Sequence, residues 1–181
     1  MIETIKQCVA NSENILLHRD EIAMKVKEIA AQISKDYADT VPVLICVLNG
    51  GFLFYADLVR ELSVDCEVDF LKISSYGNAL KSSGDVKILK HPDCPLEGRD
   101  VLVVEDIIDS GLSVYFLRTW LNKKQPKSLK FVSLLIKEET AQVEYECEYP
   151  GFRIPNKFVI GYGLDYAQRF RNLHDIYAVE T

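Results

Sequence analysis

The sequence predicts an α/β domain built on a mostly parallel central sheet flanked by helices. Three observations carry this expectation. Short, nearly continuous apolar runs rich in β-forming residues recur at VPVLICVL (41–48), DVLVVED (100–106) and SLKFVSLLIK (128–137), the pattern of strands buried on both faces. Between them lie segments whose apolar residues step by three or four, the period of a helix with one buried face. No internal repeat, low-complexity tract or linker interrupts the 181 residues. Residues 1–181 are therefore read as one domain, long enough to bury a core without disulfides or a structural metal.

From Asp20 to Tyr37 the positions Ile22, Val26, Ile29, Ala30, Ile33 and Tyr37 share one helical face, with Lys25, Lys27, Glu28 and Lys35 mostly outside it. Pro42 introduces the first apolar run and Asn49-Gly50-Gly51 closes it. GFLFYADLVREL (51–62) returns to helical spacing through Phe54, Tyr55, Leu58, Val59 and Leu62. CEVDFLKIS (66–74) alternates and predicts a strand, whereas SYGNALKSSGD (75–85) is polar and has little to bury. The second half repeats the alternation. A strand over 100–106 ends in carboxylates, and SGLSVYFLRTWLNKK (110–124) predicts a helix that Pro126 stops. Leu112, Phe116 and Trp120 share its packing face, toward the core or a subunit contact. A strand over 128–137, the charged connector EETAQVEYE, and short strands in KFVIGYG (157–163) and IYAVE (176–180) complete the chain. In sheets of this kind ligands bind beyond the C-terminal strand ends.

Twenty-seven carboxylates against 21 Lys and Arg give a net charge of −6, the wrong sign for a surface that coats DNA or RNA. The five cysteines, Cys8, Cys46, Cys66, Cys94 and Cys147, include no CxxC spacing, and His18, His91 and His174 are isolated. That pattern argues against a zinc ribbon, a redox pair or a catalytic cysteine. The N-terminus has neither the charged start nor the apolar stretch of a secretory signal. No apolar run approaches the ~20 residues of a membrane-spanning helix. A reducing cytoplasm is the expected location.

VVEDIIDSGLS, Val103 to Ser113, carries the chemistry. Its second half has the parts of an anion cradle: Gly111 for close backbone approach, the hydroxyls of Ser110 and Ser113, and unpaired N–H groups at a helix start. The alternative is that Asp109 or Ser110 only caps the helix. The adjacent Glu105 and Asp106 shift the balance, because neighbouring carboxylates repel and gain nothing from burial. They suit sugar hydroxyls, cationic groups or magnesium, although a solvated acidic turn is the plain alternative. With no GxxxxGK[ST] and no GxGxxG in the chain, the pattern points to a phosphorylated sugar held with a metal rather than to a nucleoside triphosphate.

These residues resemble the phosphoribosyl-pyrophosphate signature of the type I phosphoribosyltransferases, in its hypoxanthine-guanine form. LNGG (48–51) lies where that family has its pyrophosphate loop, SSYGN (74–78) matches its catalytic loop, and SLLIK (133–137) supplies the lysine of its purine site. IPNKFVIGYGLDYAQRFRNL (154–173) matches its C-terminal signature, and the blocks keep the family order over roughly residues 40 to 177. The resemblance implies the type I phosphoribosyltransferase fold, with a small hood formed by terminal segments and a mobile loop near 75–85. It implies purine salvage: transfer of the phosphoribosyl group of 5-phosphoribosyl pyrophosphate to N9 of hypoxanthine or guanine, giving IMP or GMP and pyrophosphate.

Residue roles follow from the same resemblance. Asp109 is the general base at purine N7, and Asp109, Ser110, Gly111, Leu112 and Ser113 bind the 5′-phosphate. Glu105 and Asp106 hold the ribose hydroxyls and help fix Mg²⁺, with Asp165 as a further metal-site carboxylate that also borders the purine. Lys137 donates to the 6-oxo group, Phe158 stacks on the ring and Val159 contributes backbone contacts. Asn49, Gly50 and Arg171 meet pyrophosphate, in a loop that commonly carries a non-proline cis peptide. Ser75 and Tyr76 belong to the mobile loop that excludes water from the reacting centre.

Without the resemblance, Lys137 reads rather as a solvated strand end, Phe158 equally as a core aromatic, and Tyr162 and Tyr166 rather as core aromatics. Arg169 and Arg171 could be surface charges, but their closeness to Asp165 favours a binding role for one of them. The sequence departs from the family pattern at Asn49, where Lys or Arg is frequent, at Leu112, which replaces a lysine, and at Glu138-Glu139, where a basic residue often follows Lys137. Two rivals stand beside the main reading. One is a transferase for another base. The other is a non-catalytic nucleotide- or RNA-sensing regulator on the same fold. Relatives assemble as homodimers or homotetramers, and no nucleic-acid or membrane partner is expected.

Overall fold

A computed structural model describes residues 2–75 and 86–179, without the side chains of Ser75, Val86 and Glu138. Its main sheet has six strands: β2 (Val43–Leu48), β3 (Glu67–Ser75), β4 (Val86–Lys90), β5 (Asp100–Ile108), β6 (Ser128–Ile136) and β7 (Tyr149–Arg153). Their spatial order is β4-β3-β2-β5-β6-β7. All neighbours run parallel except β3 and β4.

The apolar runs form the centre of this sheet because both faces are covered. Leu44, Cys46, Leu102, Val104 and Val132 pack with α2 (Arg19–Asp36) and α3 (Phe52–Glu61), through Ile22, Val26, Ile33, Phe54 and Leu58. Val43, Ile45, Val101, Val103 and Phe131 pack on the other face with Val114, Leu117 and Leu121 of α4 (Leu112–Asn122). Phe116 and Trp120 are partly buried against that second cluster, as their helical spacing predicts. Alternation along β2 and β5 thus divides one sheet between two apolar layers.

A second sheet of three strands, in the order β1-β9-β8, joins the ends of the chain. β1 (Ile15–Leu17) and β8 (Phe158–Ile160) flank β9 (Ile176–Val179), all antiparallel, and Ile5 of α1 (Ile2–Ala10) packs on Ile160, Tyr177 and Val179. This is the hood of terminal segments that the resemblance implied.

Four elements lie outside the expectations from periodicity: α1, β1, β4 and β7. β7 contains Pro150 and Gly151, poor strand formers, and it survives at the sheet edge, where a missing N–H costs least. β5 runs two residues beyond the acidic pair, to Ile108. The expected helix over 110–124 begins only at Leu112, because Gly111 adopts φ 79. KFVIGYG is extended only to Ile160, where Gly161 turns with φ 100.

Asp69 anchors the segment that leads back into β5. It is 6% exposed, and its carboxylate accepts from the N–H groups of Phe70 (2.6 Å), Asp93 (2.7 Å) and Cys94 (2.8 Å). Replacing Asp69 by Ala leaves those donors without partners, and the expected loss is about 2–4 kcal/mol. Urea unfolding monitored by circular dichroism measures it; a midpoint equal to that of the parent would contradict the anchor.

Candidate active site at the strand ends

The C-terminal ends of β2, β5 and β6 meet the hood around a cavity of about 330 Å³. Its walls contain Asn49, Gly50, Asp106, Asp109, Lys137, Phe158, Val159, Asp165 and Arg171, all singled out from the sequence, together with Ile107 and Leu164, which were not. Leu164 lies inside the C-terminal block, so position beside Asp165 was the available signal. A larger hollow of about 630 Å³ lies behind Arg171, bordered by Arg19, Phe52, Tyr162 and Leu173, but none of the strand-end carboxylates reaches it.

Register brings two charged side chains together. Ile108 of β5 is paired with Ile136 of β6, and the Lys137 N–H donates to the Ile108 carbonyl at 2.9 Å. The next residues, Asp109 and Lys137, therefore stand side by side. Lys137 Nζ lies 2.9 Å from Asp109 Oδ2, with the lysine side chain 8% exposed and that of Asp109 52% exposed. Lys137 is not a solvated strand end.

The acidic pair divides its positions. Asp106 lines the cavity directly beneath Gly50, where a Cβ would come within 1.7 Å of Asp106 Oδ2. Only glycine lets the backbone of the loop approach this carboxylate so closely. The Leu48–Asn49 peptide just before it is cis. Glu105 is buried, 6% exposed, and is not part of the cavity wall. Burial pushes the Glu105 carboxyl well above the usual carboxylate range, and the neighbouring Asp106 pushes it further. Burial also raises Asp106, to about 6, with Asp165 adding to the rise while N–H donors at Ile107 and Asp106 and the Arg171 cation oppose it.

The loop from Asp109 to Ser113 continues from β5 to the start of α4. Gly111 is the residue before the helix, and the Leu112 N–H donates weakly to Ser110 Oγ at 3.4 Å. This loop is adjacent to the cavity; Ser110, Gly111, Leu112 and Ser113 are not in its wall. The charged connector after β6 folds onto it. The Gln142 N–H donates to the Ser110 carbonyl at 2.9 Å, and a Cβ on Gly111 would meet the Tyr145 ring at 2.5 Å. Periodicity offered no sign of this packing, because the connector has no repeating apolar spacing.

On the hood side, Arg171 pairs with Asp165 at 2.7 Å and donates to the Gly163 carbonyl at 2.7 Å and to Gln168 Oε1 at 3.1 Å. The Gln168 N–H donates to the other Asp165 oxygen at 2.7 Å. Tyr162 donates to Asp57 Oδ2 of α3 at 2.6 Å, which ties the hood loop to the main domain. Phe158 is 37% exposed, edge-on to Tyr166 with ring centroids 5.9 Å apart, so it presents a ring to the cavity instead of filling the core. Ser75 ends β3, and Tyr76 with the rest of 76–85 lies outside the described residues. Among the described residues, no three metal-ligating side chains gather into one group, and no helix is long and apolar enough to cross a membrane.

The chain is similar to known proteins along most of its length. A family model described as the phosphoribosyl transferase domain matches residues 12–167. Over 161 residues the chain is 46% identical to the hypoxanthine-guanine phosphoribosyltransferase of Bacillus subtilis, covering 89% of each protein. It is 40% identical over 177 residues to the enzyme of the same name from Aquifex aeolicus, covering 97% of this chain and 99% of that one. A crystal structure of a hypoxanthine-guanine phosphoribosyltransferase from Bacillus anthracis superposes with a TM-score of 0.88 at 45% identity, covering 92% of this chain and 98% of the other.

The raised carboxyls have a consequence for stability. A carboxyl raised on folding binds a proton that the unfolded chain releases, so its contribution is complete below the ordinary value near 3.8 and is lost as pH climbs through about 6. Asp106→Asn removes the charge, and the unliganded variant is expected to melt about 2–4 °C above the parent at pH 7, the size of a 1 kcal/mol gain in a chain this long. The difference should shrink toward pH 4. Scanning calorimetry at both pH values decides it; a lower melting temperature at pH 7 contradicts the burial argument.

Proposed function

The chain belongs to the phosphoribosyltransferase family, in its hypoxanthine-guanine branch, and from that premise we propose that it transfers phosphoribose from 5-phosphoribosyl pyrophosphate to N9 of hypoxanthine or guanine. The products are the nucleoside monophosphate and pyrophosphate. The observation that carries the reading is the Lys137–Asp109 pair in the wall of the cavity.

That pair offers a donor and an acceptor side by side. A 6-oxopurine presents the complementary pattern on one edge, an oxo acceptor beside N7, which carries a proton in the reacting tautomer. Lys137 donates to the 6-oxo group, while Asp109 accepts the N7 proton as N9 attacks the sugar. Adenine presents an amino donor where the oxo group would be, so it meets the Lys137 ammonium with the wrong polarity. Phe158 offers its exposed ring to the base, and Val159 and Asp165 border the same space.

The phosphate contacts rely on fixed dipoles. The N–H groups at the start of α4, with the Ser110 and Ser113 hydroxyls, take the 5′-phosphate. Asn49 and Gly50 meet pyrophosphate through their backbone, and Arg171, oriented by Asp165 and Gln168, adds the cation. Asp106 holds the ribose hydroxyls from the cavity wall, with Glu105 buried next to it. Excluding water from the reacting centre falls to the segment that carries Ser75 and Tyr76.

Asp106 and Asp165 fit Mg²⁺, which takes one or two carboxylates and completes its shell with water and substrate phosphate oxygens. When bound, the ion neutralises charge on the departing pyrophosphate. Large hydrophobics left exposed on β3 and β4, Val68, Phe70 and Leu89, support assembly into a homodimer or homotetramer. A single catalytic domain over 1–181, working in the cytoplasm, completes the reading. Nothing in the comparisons supports a non-catalytic regulator.

Asp109→Asn should leave the fold and substrate binding nearly unchanged while lowering kcat about 10²–10⁴-fold, the usual worth of a positioned base. Lys137→Met should raise KM for hypoxanthine more than KM for phosphoribosyl pyrophosphate. Steady-state assays of both folded variants check the assignment; near-normal turnover by Asp109→Asn refutes it.

A further inference from the structure

Asp109 and Lys137 stand at the ends of two different strands, on the last residue before each chain turns away. β-pairing stops at Ile108 and Ile136. Beyond it, among the described residues, the carboxylate and the ammonium are held by their own ion pair, the Lys137 N–H bond to Ile108, and whatever ties the two turns together. An ion pair alone is a poor ruler, because the half-exposed Asp109 carboxylate can turn and still stay close to the ammonium.

The second tie is Thr140. Its hydroxyl lies 3.1 Å from the carbonyl of Asp109 and 3.1 Å from the carbonyl of Lys137. One proton serves the two acceptors, shared or alternating, which is a common arrangement at the ends of elements. The short turn Glu138–Thr140 brings this side chain back over Lys137, the residue that precedes it. Two residues on, the Gln142 N–H reaches the Ser110 carbonyl, so the same connector also holds the phosphate loop through a separate bond.

We propose that Thr140 is a positioning residue, whose hydroxyl fixes the backbones of Asp109 and Lys137 to each other and so holds the base and the 6-oxo donor at the spacing of one purine edge. The inference rests on the reading of Asp109 and Lys137 given above and adds a residue that does not touch substrate. Loss of the hydroxyl frees each backbone to pivot, and a displacement of about 1 Å in a reacting group is enough to slow turnover markedly. The phosphate loop keeps its Gln142 bond, so phosphoribosyl pyrophosphate should bind as before.

The test compares Thr140→Val, which keeps the shape and removes the hydroxyl, with Thr140→Ser, which restores it. Asp109→Asn serves as reference. With hypoxanthine, phosphoribosyl pyrophosphate and magnesium, Thr140→Val should lose about tenfold in kcat, with KM for phosphoribosyl pyrophosphate within twofold of the parent. Thr140→Ser should stay within about twofold in both. Equal melting temperatures show that the loss is not one of folding. Full activity in Thr140→Val, or equal impairment in Thr140→Ser, overturns the proposal while a crippled Asp109→Asn leaves the base assignment standing. If Asp109→Asn is also fully active, the assignment itself fails, and the proposal with it.

Discussion

β5 and β6 lie side by side with Ile108 next to Ile136, and the geometry of the site follows from that register. A slip of one residue would turn Phe131 and Val132 to the wrong layers and carry Lys137 away from Asp109. Both faces of the sheet are closely packed, so the fit of individual side chains in the two layers, rather than an apolar–polar alternation, holds this register. The core therefore does more than hold the molecule together. It sets the distance between a carboxylate and an ammonium that follow two separate strands.

The second constraint is the closeness of backbone to charge at the end of β2. Gly50 rests on the Asp106 carboxylate, and the hood loop closes over the same region through Arg171 and Asp165. Withdrawing carboxylates from water is costly, which is why burial raises both the buried Glu105 and Asp106, in the cavity wall. On the proposed reading, ribose hydroxyls and a divalent cation are the partners that complete such a site. The net charge of −6 is consistent with phosphorylated substrates on this account, since backbone N–H groups, hydroxyls and Arg171 meet the phosphates.

The sheet centre and the helices over it were legible in the sequence because each buries a whole run or a whole face. VPVLICVL, DVLVVED and SLKFVSLLIK became β2, β5 and β6 with shifts of only a few residues at their ends. Elements with little to bury were not legible. β7 includes Pro150 and Gly151 and is held by its parallel neighbour, and β1 pairs with a strand more than 150 residues away. Most of the site was readable as motifs, yet its linkages were not. The connector after β6 looked like a charged loop, but Thr140 and Gln142 tie it to Asp109 and Ser110 by bonds that leave no trace in spacing or hydropathy. The separation of Asp106 from Glu105, one in the cavity wall and one buried, likewise required coordinates.

In the proposed reading, the paired Lys137 and Asp109 recognise the oxo and N7 edge of a purine. Pyrophosphate release by the purified protein, with phosphoribosyl pyrophosphate and magnesium, tests it most directly when hypoxanthine, guanine, xanthine, adenine and uracil are supplied in turn. Rapid release is expected with hypoxanthine or guanine and almost none with adenine or uracil. Release with adenine at the rate seen for hypoxanthine, or no release with any purine, would contradict it.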